Sequence, residues 1–188
     1  MTQVDRGVLN WVVDHRSPAL TDVFTVITTA GNTAVMAVLT VVVAAALWRL
    51  RRRGDAAAVV IAVFASWLIM NAIKFVVRRQ RPPQPERIVD IATYSFPSGH
   101  AMVSAAFVTA VFVLIATSGA RRATVLLSGV LLGLVTVAIG VSRIYLAAHW
   151  FTDVFAGWAL GVACSVLVMT AVRRWIVQRL QDRVVTAQ

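Results

Sequence analysis

Residues 56–77 read AAAVVIAVFASWLIMNAIKFVV, an apolar run interrupted only by Ser66, Asn71 and Lys74. About 20 such residues, wound as a helix, cross the hydrocarbon core of a bilayer. The run therefore predicts a membrane-spanning helix, and it carries the only lysine of the chain close to its end. Four more stretches of the same character lie at roughly 33–50, 99–117, 123–142 and 150–172. The expected fold class is all-α: a polytopic membrane helical bundle of about five transmembrane helices, with interfacial helices at the N-terminus.

Composition points the same way. Hydrophobic residues make up 59% of the 188 residues and charged ones 14%, and the mean hydropathy is +0.79. Soluble domains carry about 25% charged residues. A net charge of +10 suits a nucleic-acid partner in a soluble protein, but here most arginines flank apolar runs, so no nucleic acid is expected. Arg49, Arg51, Arg52, Arg53, Arg121, Arg122, Arg173, Arg174, Arg179 and Arg183 fall on one side of a five-span arrangement. The excess of basic residues makes that side cytoplasmic.

Residues 1–32 form the expected N-terminal interfacial segment, with Trp11 as an anchor, because Asp14, His15, Arg16 and Pro18 interrupt its apolar stretches. Residues 33–175 form the membrane domain and 176–188 a cytoplasmic tail. Gly129 with Gly133, and Gly157 with Gly161, have the small-residue spacing that lets membrane helices approach closely. His15, Cys164 and Asn71 are read as structural.

Three polar clusters stand where apolar runs begin or end. In the first, Lys74 precedes Arg81 by seven residues, so an unbroken helix would set both on nearly one face, aimed at a common anion. Interfacial anchoring of basic side chains is the plainer alternative, and Arg78 and Arg79 are assigned to it. In the second, Pro97, Ser98, Gly99 and His100 open a helix whose free N–H groups and positive dipole end favour an anion. His100 can donate a proton there, while an ordinary serine cap explains the same residues. In the third, His149 and Asp153 are four residues apart, so the carboxylate can hold one ring nitrogen and leave the other free to attack. Arg143 completes a cationic shell.

In order and spacing, Lys74 to Arg81-Pro82, Pro97-Ser98-Gly99-His100, and Ser142-Arg143 to His149 and Asp153 resemble the three-part signature of the type 2 phosphatidic acid phosphatase family. The resemblance covers roughly residues 17–175. It implies an integral membrane lipid phosphatase acting on a phosphate monoester or diphosphate: a prenyl diphosphate, a phosphatidylglycerophosphate or a phosphatidic acid. By the same resemblance His149 is the nucleophile that forms a phosphohistidine, Asp153 orients it, and His100 is the general acid. Lys74, Arg81, Ser98, Gly99 and Arg143 bind the phosphate.

No cofactor and no metal are expected; the partners are the lipid substrate and the bilayer. The family's bacterial membrane members usually have six spans, and the one before residue 17 is expected to be absent. The expected location is the cell membrane, multi-pass, with the active site on the extracytoplasmic side. A lipid phosphotransferase using the same site is an alternative, as is an anion transporter, which would need polar groups along a path through the membrane.

Overall fold

The computed structural model describes residues 2–185. Seven helices follow one another: α1 (Gln3–Asp14), α2 (Pro18–Ala30), α3 (Thr33–Arg49), α4 (Arg53–Val77), α5 (Gly99–Ala116), α6 (Arg122–Tyr145) and α7 (Phe151–Val185), with no strand among the described residues. Local chemistry sets their ends. Thr2 and Asp5 form a reciprocal capping box at α1, Ser17 caps α2 ahead of Pro18, and the Asn32 side chain accepts from Ala34 N–H at α3. At the far end of α4, Arg78 adopts a left-handed conformation with φ 50°. A non-glycine residue there costs about 1–2 kcal/mol.

The helices α4, α5, α6 and α7 are each long and apolar enough to cross a membrane. The fifth span differs from the one expected at 33–50. Helix α3 has 17 residues, and it meets the same criterion only together with α2, as one span bent by 45°. Gly31 allows that bend to press inward: a Cβ on it would lie 2.3 Å from Ile139 Cγ2 and 3.1 Å from the His100 ring.

Helix α5 is the centre of the bundle. It packs against α3, α4, α6 and α7, and Ala101, Ala105, Ala106 and Ala110 are wholly buried. Helix α7 comes closest, because Gly157 and Gly161 face the α5 backbone: added Cβ atoms would lie 2.8 Å from the Ser98 carbonyl oxygen and 2.2 Å from that of Met102. This bears out the packing reading of that pair. On α6, Gly129 abuts Phe112, but a Cβ on Gly133 would meet nothing within 4 Å. The packing reading of Gly133 is therefore corrected; it lies on the sparsely covered face of α6 that also shows Leu126, Val130 and Leu134.

Helix α1 docks on the turn between α6 and α7, where Val12 packs with Tyr145 and Leu146. Arg16 donates to the carbonyl oxygens of Glu86 and Tyr145, each at 2.9 Å. The tail expected from residue 176 begins as a continuation of α7 as far as Val185; residues 186–188 lie outside the described chain.

Candidate active site

Four helix ends meet at one end of the bundle: the C-termini of α4 and α6 and the N-termini of α5 and α7. They surround a pocket of about 230 Å³ whose walls include Lys74, Arg81, Gly99, His100, Arg143 and His149. Six residues singled out in the sequence thus share one small volume, although they are spread over 76 positions from Lys74 to His149.

Lys74 and Arg81 arrive there by a route that differs from the helical register expected of them. Helix α4 stops at Val77, and Arg81 returns on the irregular connection 78–98. Lys74 Nζ donates to the Tyr94 carbonyl at 2.6 Å, and Arg81 donates to the carbonyls of Thr93 and Ala148, both at 2.6 Å. The cations are therefore fixed by backbone oxygens of the 78–98 connection and, for Arg81, of the α6–α7 turn as well. Burial, then Arg87, lowers Arg81 to about 10, which leaves it charged at neutral pH.

His149 sits in the α6–α7 turn, ahead of α7 and not on it. Two N–H groups, of Ala148 and His149, donate to the Arg143 carbonyl at 3.0 and 3.2 Å and tie that turn to the end of α6. One face of the ring, Nδ1, lies 3.6 Å from Asp153 Oδ2, longer than a formed hydrogen bond, so the carboxylate acts on it as a close charge. The other nitrogen, Nε2, is 3.1 Å from Arg81 Nη1. An arginine only donates, so Nε2 is the unprotonated nitrogen and Nδ1 bears the hydrogen.

The electrostatics favour the neutral ring. Burial above all, with Arg81, Lys74 and Arg143 adding to it against the opposing pull of Asp153, lowers His149 to about 3. A histidine so placed is an available nucleophile at neutral pH.

Asp153 is wholly buried, and its oxygens are held on three sides. Ser95 Oγ donates to Oδ2 at 2.5 Å, Trp150 N–H donates to Oδ2 at 3.0 Å, and Arg79 Nη1 donates to Oδ1 at 2.5 Å. Neither Ser95 nor Arg79 was singled out as part of the site. Arg79 was assigned to interfacial anchoring, and that reading is corrected: it bridges Asp153 and Asp5, the latter at 2.6 Å through Nη2. Arg78 keeps its local role, donating to the Phe75 carbonyl and stacking on that ring.

Ser98 occupies the N-cap position of α5, but its hydroxyl caps nothing. The side chain is wholly buried and Oγ has no hydrogen-bond partner. A buried hydroxyl left unbonded costs about 1–3 kcal/mol, which marks it as available to an incoming acceptor. Arg143 similarly donates through Nη1 to Thr28 at 2.6 Å while its Nε is buried and unbonded. Asn71 lines the pocket yet spends its amide on the Trp67 carbonyl at 2.8 Å. Among the described residues no group of three or more His, Cys, Asp or Glu side chains is placed to hold a metal ion.

Comparison with known proteins identifies the family. The model of the PAP2 superfamily matches residues 55–176, more than half of the chain. Phosphatidylglycerophosphatase B of Bacillus subtilis (strain 168) is 30% identical over 169 residues, covering 87% of this chain and 81% of the relative. The crystal structure of a transmembrane PAP2-type phosphatidylglycerolphosphate phosphatase from Bacillus subtilis superposes with a TM-score of 0.82 at 27% identity, over 90% of this chain and 85% of the other. Aquifex aeolicus LpxE shares the fold, with a TM-score of 0.69 at 22% identity over 90% of this chain and 99% of the other. By the family match and its relatives the chain belongs to the PAP2 superfamily, as a multi-pass membrane phosphatase.

Proposed function

We propose that this enzyme removes a terminal phosphate from a membrane lipid through a phosphohistidine on His149, without a metal ion. The observation that carries the reading is the division of the His149 ring, with Nδ1 turned to Asp153 and Nε2 to the cationic pocket. The phosphoryl group displaces Nε2 from its contact with Arg81 and takes that donor for itself, together with Lys74, Arg143, Ser98 and the α5 N-terminus. Nε2 then attacks phosphorus as the bond to the lipid oxygen breaks. His100, held as imidazolium by the bound phosphate, gives its proton to that oxygen and becomes neutral; it afterwards takes a proton from the water that attacks the phosphohistidine, which frees Nε2 and releases inorganic phosphate. The surrounding cations spread the transition-state charge, which is the work a metal ion does elsewhere.

A lipid fits the setting. Between α3, α4 and α5 runs an apolar groove of about 340 Å³, walled by Ala37, Val41, Val60, Phe64 and Val103 among others, and it shares Thr33 and Trp67 with the phosphate pocket. A headgroup in the pocket leaves the chains next to apolar surface. The similarity to phosphatidylglycerophosphatase B supports a phosphatidylglycerophosphate substrate, with prenyl diphosphates and phosphatidic acid in the same chemical class.

Purified protein supplied with a panel of lipid phosphates in the presence of chelator will release phosphate, and His149→Ala will abolish that release. Equal release by the variant, or complete dependence on added magnesium, would overturn the mechanism.

A further inference from the structure

Arg79 does not line the phosphate pocket. Its guanidinium instead lies behind the His149–Asp153 pair and forks between two buried carboxylates. Nη1 donates to Asp153 Oδ1 at 2.5 Å and to Thr152 Oγ1 at 2.7 Å, while Nη2 donates to Asp5 Oδ2 at 2.6 Å. Asp5 belongs to α1, 148 positions before Asp153, and is 1% exposed.

A capping box needs Asp5 only to accept from Thr2, which it does at 3.1 Å. The structure asks more of it. Thr152 N–H donates to Asp5 Oδ1 at 3.0 Å and the Thr152 hydroxyl to the same oxygen at 2.9 Å. Burial of a carboxylate is costly unless hydrogen bonds and a counter-charge compensate it. Here burial alone raises the Asp5 carboxyl, but the bonds from Thr152, Thr2 and Arg79 outweigh it and hold the group well below its ordinary value. Asp5 is therefore an ionised partner bound to both Arg79 and the first turn of α7.

We propose that Asp5 and Arg79 act as positioning residues for Asp153, so that docking of the N-terminal helix completes the catalytic site. With Oδ2 taken by Ser95 and Trp150, Arg79 supplies the bond that fixes Oδ1 and so the plane of the carboxylate facing His149. Asp5 in turn holds Arg79 in place and offsets its charge. Two carboxylates and one guanidinium leave a single negative charge beside the ring. The other charged or titratable groups around His149 are Arg81 from the 78–98 connection, Lys74 from α4, His100 from α5 and Arg143 from α6.

The two partners carry opposite charge, so their removal shifts His149 in opposite directions. Arg79→Gln leaves two carboxylates uncompensated, favours the imidazolium and moves the acid limb of kcat/KM to higher pH. Asp5→Asn leaves Arg79 to one carboxylate and moves that limb to lower pH. The double variant removes one charge of each sign and returns the limb close to the wild-type position. In both single variants kcat falls about tenfold or more, as it does when an outer-shell partner is lost. KM changes little, because neither side chain lines the pocket.

This inference rests on the phosphatase reading, and the two fail separately. Phosphate release retained by His149→Ala removes the reading itself. Release abolished by His149→Ala, with acid limbs of Asp5→Asn and Arg79→Gln that coincide with wild type, removes only the inference. Where Asp5→Asn does not fold, the comparison passes to Arg79→Gln against the charge-keeping Arg79→Lys. An upward shift for Arg79→Gln that is absent for Arg79→Lys supports the proposal, and an unmoved limb for Arg79→Gln overturns it.

Discussion

Lys74 holds the carbonyl of Tyr94 at 2.6 Å, and Arg81 Nη2 donates to the same oxygen at 3.1 Å. A second guanidinium at this point would set two planar forks against one acceptor in a pocket of about 230 Å³. Lys74→Arg is thus expected to lower kcat/KM about a hundredfold, the scale of a misplaced reacting group, while the yield of folded protein in membranes stays unchanged. Phosphate release measured beside detergent-extracted yield checks both parts. Lysine and arginine are equally good anchors, so near-wild-type activity would return Lys74 to that role. The pocket-lining residues were legible in the sequence because their order and spacing are specific. Arg79 and Ser95 were not, since their partners lie 74 and 58 positions away and nothing local distinguishes Arg79 from Arg78. Asp5 was hidden for another reason: its capping box is a sufficient local explanation of an acid at that position.

At the scale of elements, the contact between α5 and α7 sets the distance across the site, because the Ser98 N–H donates to the Asp153 carbonyl at 3.0 Å. Gly161 keeps that distance short. A methyl group there meets the Met102 carbonyl, a backbone atom that cannot turn aside. Gly161→Ala is expected to destabilise the protein by about 1–3 kcal/mol and to lower activity with it. Gly133→Ala, facing open space, is expected to leave stability unchanged or raised by up to about 1 kcal/mol through better helix propensity. Thermal melts of the two variants in the same detergent compare them directly. Sequence spacing alone treated the two glycine pairs alike, because it reports that residues share a helix face but not which face is covered. The same limit explains the α2–α3 span: hydropathy marks apolar runs, while the bend depends on Gly31 fitting against Ile139.

Over the whole molecule the charges separate into two ends. Arg173 contacts Asp55 and hydrogen-bonds Thr117, which draws the first turn of α4, the end of α5 and α7 together at the end away from the pocket. Between the two ends, helices α4 to α7 carry hydroxyls, such as the Ser104–Thr136 pair at 2.8 Å, and no charged side chain. That pattern favours an enzyme over a transporter, whose permeating anion would need polar groups along its path. It also supports the proposal of an extracytoplasmic active site, since the positive-inside rule assigns the end with the larger number of arginines to the cytoplasm. A cysteine introduced beside Glu86 is expected to react with an impermeant thiol reagent in intact cells; protection until the cells are opened would reverse the orientation. The four spans α4 to α7 were legible, because burial in lipid leaves a long apolar signature, whereas the bent α2–α3 pair was not.

The bonds between Asp5 and Thr152 join a helix that precedes every span in the sequence to the first turn of α7, the last helix described. Every span between them must be inserted before those bonds can form. His149 and Asp153 follow the other pocket residues in the sequence, so a nascent chain carries Lys74, Arg81 and His100 into the bilayer without the proposed nucleophile. On the proposed mechanism, hydrolysis of membrane lipid therefore waits until α7 has docked against α1, and an insertion intermediate stalled at α6 is inactive.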